Sequence, residues 1–307
     1  MYENIEFIIA CAGKSTRNYP HSKGIAHKCL MPFGDIRLID CVLQDIVRIG
    51  GRHITLVVSD QTTIDAFTEA LKTDLKTEEK LRKGGRERIA DVLKVTFLPE
   101  DVDLKFVIQE QPLGTAQVLG LAHRMSPDRH GVLIFPDDLI DSTKAPVPFV
   151  QKIVDSFLKN TKQILLTGLV KEDVSNNAIL SNGRLIEKPK NPTSNVAGYS
   201  PIVVPKECLD FIEKQTSEIE RSGKMPEGLS LGEWVYTDGI NAFLDAEGEA
   251  NGFAPQMEIM VQTQYEMMDT GTLPLYEKAL IRELLTRSFF AEENKKYVQK
   301  LLHEMTL

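Results

Sequence analysis

The sequence is short of positive charge and has no long apolar run. Its 36 Lys and Arg residues stand against 44 Asp and Glu residues, a net charge of -8, which argues against broad binding to nucleic acid or to an anionic membrane surface. No uncharged apolar run reaches membrane-spanning length, and the N-terminal residues lack the basic and apolar regions of a secretory signal. We therefore expect a cytoplasmic protein with no nucleic-acid or membrane partner, whose important basic residues face one bound anion.

Cysteine and histidine are also sparse. The four cysteines, Cys11, Cys29, Cys41 and Cys208, form no C-x-x-C pair, so we expect reduced, buried thiols rather than a disulfide framework. The six histidines show no H-x-x-x-H or H-x-x-E-H spacing. No zinc-type cluster and no Ser-His-Asp arrangement is therefore predicted, and each histidine is expected to be a surface or core residue.

Apolar runs alternate with helical stretches along the 307 residues, a length that can bury one large core or two smaller ones. Nearly continuous apolar runs predict strands at 5–10, 53–58, 104–108, 131–135, 163–170 and 199–204. Apolar residues at three- and four-residue spacing predict helices at 38–50, 62–75, 115–125 and 148–160. The alternation predicts an α/β fold, with a mostly parallel sheet and helices on both faces.

Two further stretches are helical by pattern. Residues 72–94 mix both signs of charge and predict a solvated helical excursion broken at Gly84 and Gly85. Residues 273–305 predict one or two amphipathic C-terminal helices, which either pack on the core or form an oligomer contact.

The loop after the first strand contains Gly-Lys-Ser-Thr at 13–16, which is also the end of a Walker A loop. A Walker A loop requires a further glycine at position 8, where this chain has Ile8, and it continues directly into a helix. Pro20 follows within about one turn and opposes that helix. A Walker A loop is therefore excluded, but the small residues still let backbone N–H groups approach a phosphate, and Arg17 can bridge two phosphate oxygens.

The wider pattern A-G-x-x-T-R-x-x-P-x-[ST]-K…K-x-L-x-P, from Ala12 to Pro32, resembles the sugar-1-phosphate nucleotidyltransferases. The bacterial UTP–glucose-1-phosphate uridylyltransferases and glucose-1-phosphate thymidylyltransferases are the most similar members. The resemblance implies their Rossmann-like nucleotide-diphospho-sugar transferase fold, with a mixed, mostly parallel sheet. It also implies that Ala12 and Gly13 bind the nucleotide and that Arg17 and Lys28 are catalytic cations. Lys23 either faces phosphate or is solvated.

A second motif implies contacts to the nucleotide base. The stretch QEQPLG at 109–114 is similar to the family segment that contacts the base. Gln111 and Gly114 are the implied contacts, with Gln109 as a second candidate.

Two carboxylates far apart in the sequence are implied as ligands of Mg²⁺. Asp137 follows the strand predicted at 131–135, with Asp138 in reserve, and Asp269 begins an Asp-x-Gly-Thr motif. Mg²⁺ favours one or two protein carboxylates together with phosphate oxygens, which suits this pair.

The sugar phosphate is implied to bind near the Glu-Lys-Pro motif at 187–189. By resemblance, Lys188 holds the phosphate as a further catalytic cation and Glu187 contacts the sugar hydroxyls. Asn195 and Gly198 are implied to line the sugar pocket, and Glu233 is implied to reach the sugar.

The resemblance implies transfer of a nucleotidyl group from UTP or dTTP to a sugar 1-phosphate, with glucose 1-phosphate expected, and release of pyrophosphate. A homo-oligomer is also expected. Two residues depart from the family pattern: Ser15 and Ala178 each replace a glycine. The alternatives are a non-catalytic nucleotide-sugar-binding regulatory relative and a nucleotidyltransferase for another base or a non-sugar phosphate.

The predicted domain organisation is one nucleotidyltransferase domain at 1–285 followed by a helical extension at 286–307. Within the domain, a nucleotide-binding half at about 1–140 precedes a sugar-phosphate half at about 141–285.

Overall fold

The computed structural model describes residues 2–14, 16–141, 147–251, 256–263 and 265–305. Ser15, one of the two departures from the family pattern, lies outside these ranges. None of the described helices is long and apolar enough to cross a membrane.

The strands and helices alternate through most of the chain. The strands are β1 (Ile5–Cys11), β2 (Pro32–Phe33), β3 (Ile36–Arg37), β4 (His53–Val58), β5 (Asp103–Ile108), β6 (His130–Ile134), β7 (Asp138–Asp141), β8 (Ile164–Val170), β9 (Ala178–Ser181), β10 (Arg184–Glu187), β11 (Val196–Val204), β12 (Met257–Val261) and β13 (Glu266–Asp269). The helices are α1 (Leu38–Arg48), α2 (Gln61–Ala70), α3 (Leu75–Lys83), α4 (Glu87–Val95), α5 (Thr115–Met125), α6 (Phe149–Phe157), α7 (Lys206–Ser222), α8 (Tyr236–Asn251), α9 (Leu273–Thr286) and α10 (Ala291–Met305).

Nine of these strands form one mixed sheet. Strands β6, β1, β4 and β5 lie side by side and parallel. Strand β11 runs antiparallel between β6 and β8, and β12 extends the sheet parallel to β8. The hairpin of β9 and β10 joins beside the first half of β11. The predicted α/β fold with a mixed sheet is therefore confirmed.

Strand β1 shows why the sheet is covered on both faces. Alternate side chains of a strand point to opposite faces, and here Phe7 and Ile9 belong to one buried cluster whereas Ile8 belongs to another. The first cluster includes residues of α1, α2, α6 and α9, and the second includes residues of α5, α7 and α8. The nearly continuous apolar run of β1, interrupted by Glu6, is thus buried from two sides, as in other parallel sheets.

The structure differs from the sequence predictions at element ends, in short strands, and in two long helices, α7 and α8, that were not predicted. The helix predicted at 62–75 ends at Ala70, because Asp74 caps a new helix by accepting a hydrogen bond from the Thr77 N–H at 2.9 Å. The charged stretch forms α3 and α4 with their break at Gly84 and Gly85, as predicted, and the C-terminal stretch forms two helices. The predicted domain boundaries stay a prediction.

The parallel strands place their carboxyl ends at one edge of the sheet, which is where open α/β sheets bind ligands. Strand β1 leads there into the loop at 12–31, β5 into the segment at 109–114, and β6 into Asp137. The three segments predicted to bind the nucleotide and the metal therefore start from the same edge.

Candidate active site

The loop after β1 is anchored to the far end of the sequence. Its first turn is a 3-10 helix at Thr16–Asn18, in which Arg17 is exposed and Asn18 is buried. The Asn18 side-chain amide donates a 3.0 Å hydrogen bond to the Thr270 carbonyl oxygen. This bond fixes the Arg17 turn against the segment that carries Asp269.

The second turn of this loop positions the Lys28 side chain next to Asp137. The 3-10 turn Lys28–Leu30 is capped by His27, whose ring accepts a hydrogen bond from the Cys29 N–H. The Lys28 ammonium contacts Asp137 Oδ2 directly. Burial opposes ionisation of Asp137, but the charge and hydrogen bond of Lys28 outweigh it and hold the Asp137 pKa below its usual value.

Asp269 reaches the same place from the last strand. It ends β13, which pairs with β7, and its Oδ1 accepts a 2.7 Å hydrogen bond from the Gly271 N–H. A Cβ at Gly271 would lie 3.0 Å from Asp269 Oδ1, 3.2 Å from Asp137 Oδ2 and 3.8 Å from Arg17 Nη2. Arg17, Asp137 and Asp269 thus meet around Gly271, and Lys28 joins them through its contact with Asp137.

The two carboxylates have the chemistry of a hard-cation site. Their oxygens converge from two segments, and Mg²⁺ or a similar ion prefers carboxylate oxygens completed by phosphate and water. The Lys28 ammonium already places a positive charge against Asp137 Oδ2. Asp137 and Asp269 therefore fit as the residues that could hold such an ion.

Asp138, the reserve candidate, has a different environment. Burial and the adjacent charge of Asp137 raise the Asp138 pKa to about 8. Its Oδ2 accepts a 3.1 Å hydrogen bond from the Ser200 N–H. A carboxyl group whose ionisation is opposed by burial, and whose Oδ2 is hydrogen-bonded to β11, is a weaker metal ligand than Asp137.

The segment predicted to contact the base packs against a second chain segment. Gly114 has φ +128°, and a Cβ there would lie 2.4 Å from the Trp234 carbonyl oxygen, so glycine is required. The Trp234 N–H donates to the Leu113 carbonyl oxygen at 2.7 Å. The Gln109 amide is buried and donates to the Gly114 carbonyl oxygen at 2.9 Å, whereas Gln111 is exposed. Of the two glutamines, Gln111 is the one whose side chain is accessible to a base.

On the sugar side, the predicted residues lie on adjacent strands. Ala178 of β9 pairs with Glu187 of β10 on one side and with Gly198 of β11 on the other. Ala178, where the resemblance predicts a glycine, is buried, so its methyl group lies within this row. Lys188 is the residue after Glu187; it is exposed and its φ is +45°. Its N–H donates to the Asn177 carbonyl oxygen at 3.2 Å.

The remaining sugar-side residues are held less firmly. Glu187 is partly buried, which raises its pKa, and its Oε2 accepts a hydrogen bond from Thr237 Oγ1 at 3.5 Å. Asn195 and Glu233 are both exposed. Their roles, like those of the other predicted site residues, stay predictions.

Sequence reasoning missed several residues that position the site. Asn18 and Thr270 join segments 252 residues apart, Gly271 gives space between the carboxylates, and Trp234 packs on Gly114. The Asp-x-Gly-Thr motif contains Gly271, so its role could have been recognised there. No sequence pattern indicates the Asn18 and Trp234 contacts, because both partners are distant in the chain.

Comparison with known proteins gives consistent matches. Residues 7–273 match the sequence profile of a family described as nucleotidyl transferase. A UTP–glucose-1-phosphate uridylyltransferase 2 of Streptococcus pyogenes serotype M3 (strain ATCC BAA-595 / MGAS315) is 24% identical over 223 residues, which cover 68% of this chain and 73% of that protein.

Solved structures share the fold at lower identity. A UDP-glucose pyrophosphorylase from Acinetobacter baumannii has a TM-score of 0.74 at 18% identity and covers 98% of this chain and 100% of that chain. A UTP-bound UGPase from the same organism has a TM-score of 0.74 at 18% identity and covers 96% and 99% of the two chains.

Proposed function

Because this chain belongs to the nucleotidyl transferase family, we propose that it transfers a uridylyl group from UTP to a sugar 1-phosphate and releases pyrophosphate. The observation that carries the proposal is the meeting of Arg17, Lys28, Asp137 and Asp269, which come from distant segments, around Gly271. The names of the similar proteins, a uridylyltransferase for glucose 1-phosphate and a UTP-bound UGPase, favour UTP and glucose 1-phosphate as the substrates.

The reaction needs positioning and charge neutralisation more than proton transfer. A phosphate oxygen of the sugar 1-phosphate attacks the α-phosphorus of the nucleotide, the bond to the β-phosphate oxygen breaks, and pyrophosphate leaves. The nucleophile is already an anion at neutral pH, so no general base is required. The chain contributes by holding the two phosphates in line and by placing fixed cations beside them.

Each cationic side chain has a defined part in this proposal. Arg17, exposed on a turn that Asn18 anchors, binds phosphate oxygens of the nucleotide. Lys28, oriented by Asp137, faces the same phosphates. Lys188, exposed at the end of β10, binds the phosphate of the sugar 1-phosphate, and Glu187 orients the sugar hydroxyls.

Asp137 and Asp269 would hold Mg²⁺, which when bound neutralises phosphate charge. Two hydrogen bonds hold these residues in position: the Thr270 N–H donates to the Asp137 carbonyl oxygen at 2.9 Å, and the Gly271 N–H donates to the Asp269 carboxylate. Asp137 is thereby held by its backbone as well as by Lys28.

The proposal is tested by measuring pyrophosphate release with each of the common NTPs, paired with a panel of sugar 1-phosphates, with and without Mg²⁺. We expect release that requires both substrates and Mg²⁺ and is fastest with UTP and glucose 1-phosphate. A preference for dTTP would assign the thymidylyl reaction instead. Release with a polyol phosphate alone would contradict the sugar assignment, and no release from any pair would identify a non-catalytic binding protein.

A further inference from the structure

Three potential metal ligands meet where the loop at 12–31 returns to the end of β1, although their sequence spacing predicts no metal site. Cys11 ends β1, Cys29 lies in the turn that carries Lys28, and His27 caps that turn. One ligand atom from each lies within 4.8 Å of the other two. No other group of three His, Cys, Asp or Glu side chains meets this closely in the part of the chain that the structure describes.

We propose that Cys11, His27 and Cys29 form a second metal site, for a thiophilic ion such as Zn²⁺. The two sulfur atoms are 4.0 Å apart. A tetrahedral zinc ion with Zn–S bonds of about 2.3 Å places two sulfur ligands about 3.8 Å apart. The pair is therefore already at the separation that such an ion needs, which is far from the about 2.0 Å of a disulfide.

The burial of the cluster also favours an ion. Cys11 and Cys29 are 0% exposed and His27 is 2% exposed. The His27 Nδ1 accepts only a 3.2 Å hydrogen bond from the Cys29 N–H, and Nε2 has no hydrogen-bond partner among the described residues. A buried polar atom without a partner is costly. An ion bound at Nε2 would give this nitrogen a partner; the ring proton would then sit on Nδ1, and the 3.2 Å hydrogen bond from the Cys29 N–H would be given up.

The ligand chemistry distinguishes this site from the carboxylate pair. Thiolate and imidazole select soft or borderline ions such as Zn²⁺ and Cu⁺, whereas Asp137 and Asp269 offer only oxygen. Two thiolates and one Zn²⁺ sum to zero charge, which suits a buried site. Binding displaces the two thiol protons to solvent, and water or a backbone oxygen supplies the fourth ligand.

The position of the site gives it a consequence for the loop. Cys11 precedes Ala12 and Gly13, and Cys29 follows Lys28, so one ion would join the two ends of the loop that carries Arg17. Such an ion would hold the loop whichever substrates bind, and its presence can be measured without a turnover assay.

The first test is metal content. The full chain is produced in zinc-supplemented medium, dialysed against EDTA to clear the exposed carboxylates, and analysed for zinc and copper. We expect about one thiophilic ion per chain in the wild type, as for a buried structural site. Cys29→Ser and His27→Ala should lose most of it. Cys208→Ser, which alters an equally buried thiol outside the cluster, should retain it.

The second test needs no variant and so does not depend on how well the variants fold. The wild-type chain is produced in cobalt-containing minimal medium, and its absorption spectrum is recorded. We expect thiolate-to-Co²⁺ charge-transfer bands in the near ultraviolet and intense visible bands of a four-coordinate ion, neither of which an all-oxygen site produces. A wild-type chain that holds no thiophilic ion and shows no such bands would overturn the proposal and identify a pair of buried thiols. Loss of the metal from Cys208→Ser as well would also overturn it.

Discussion

The phosphate end and the sugar end of the candidate site are held in different ways. At the phosphate end, segments more than 100 residues apart are bonded to one another: Lys28 to Asp137, with a separation of 109 residues, and Asn18 to Thr270, with a separation of 252. At the sugar end, Lys188, Asn195 and Glu233 are exposed, and Glu187 has a hydrogen bond of 3.5 Å. The side chains of the first region are held by hydrogen bonds and an ion pair before any substrate binds. The side chains of the second region are positioned mainly by the strands that carry them.

This difference matches what the proposed function requires of each end. Stabilising charge at a phosphate requires groups fixed in advance, because their orientation then costs little during the reaction. The preference of a sugar pocket depends on the size and contacts of single side chains, such as Ala178. We therefore expect the largest losses of activity from substitutions at the phosphate end and changes of preference from substitutions at the sugar end.

The largest effect is expected from Asp269→Asn. Asparagine keeps an oxygen for the Gly271 N–H, so the local fold is retained, but the negative charge is lost. We expect kcat to fall at least about 100-fold, while Tm changes little. The measurements are pyrophosphate release and thermal unfolding.

The matched control is Asp128→Asn. Asp128 is exposed and precedes the amino end of β6, whereas Asp137 follows its carboxyl end. This variant should keep the wild-type kcat. Unchanged turnover in Asp269→Asn would contradict the role of the carboxylate pair.

The next effect is expected from Lys188→Ala, at the sugar end. Removing one charge-assisted contact should raise KM for the sugar 1-phosphate about 10- to 100-fold and leave KM for the nucleotide unchanged. The backbone φ of +45° is left-handed for either residue, so the change does not relieve strain. Lys190→Ala, an exposed neighbour, is the control. An equal rise in both KM values would show that the two ends are not separate.

A smaller effect on activity, through packing, is expected from Gly114→Ala. The added Cβ would meet the Trp234 carbonyl oxygen, and φ is +128°. We expect a loss of about 1–3 kcal/mol in the free energy of unfolding and a higher KM for the nucleotide. In contrast, Gly248→Ala adds a methyl group in open space on α8 and should stabilise by up to about 1 kcal/mol. Wild-type stability in Gly114→Ala would refute the close packing against Trp234.

The smallest effect is expected from Ala178→Gly. Removing this methyl group from the row between Glu187 and Gly198 should change kcat/KM for glucose 1-phosphate by at most about 10-fold. The order of preference among sugar 1-phosphates should change as well. Ala197→Gly, at a buried position one residue from Gly198 on β11, should leave that order intact. The sugar assignment of this row fails if both variants change preference alike.

The sequence predicted the family and most of the long elements, and these are confirmed. Helices α7 and α8, the longest in the described part of the chain, were not predicted. The continuous apolar runs of β1, β4 and β6 and the periodic helices were recognisable because local pattern determines them. Short strands such as β7 and β13 were missed because four residues carry little pattern, and their pairing joins Asp138 to Asp269 across the chain.

The site was predictable only where a motif is contiguous. Asp137 and Asp269 were found through motifs, and the structure brings both beside Arg17. The cluster of Cys11, His27 and Cys29 was not foreseen, because its ligands are brought together by the return of the loop against β1 and not by sequence spacing. The path of an irregular loop is determined by tertiary contacts, which hydrophobic periodicity in the sequence does not predict.

The most direct test of the central claim follows the phosphorus atoms of UTP. The chain is incubated with glucose 1-phosphate, Mg²⁺ and UTP labelled in the α-phosphate or, in a parallel reaction, in the γ-phosphate. Nucleotidyl transfer predicts that the α label appears in the nucleotide sugar and the γ label appears in pyrophosphate. Recovery of the γ label as orthophosphate or on the sugar, or no transfer of the α label, would contradict it.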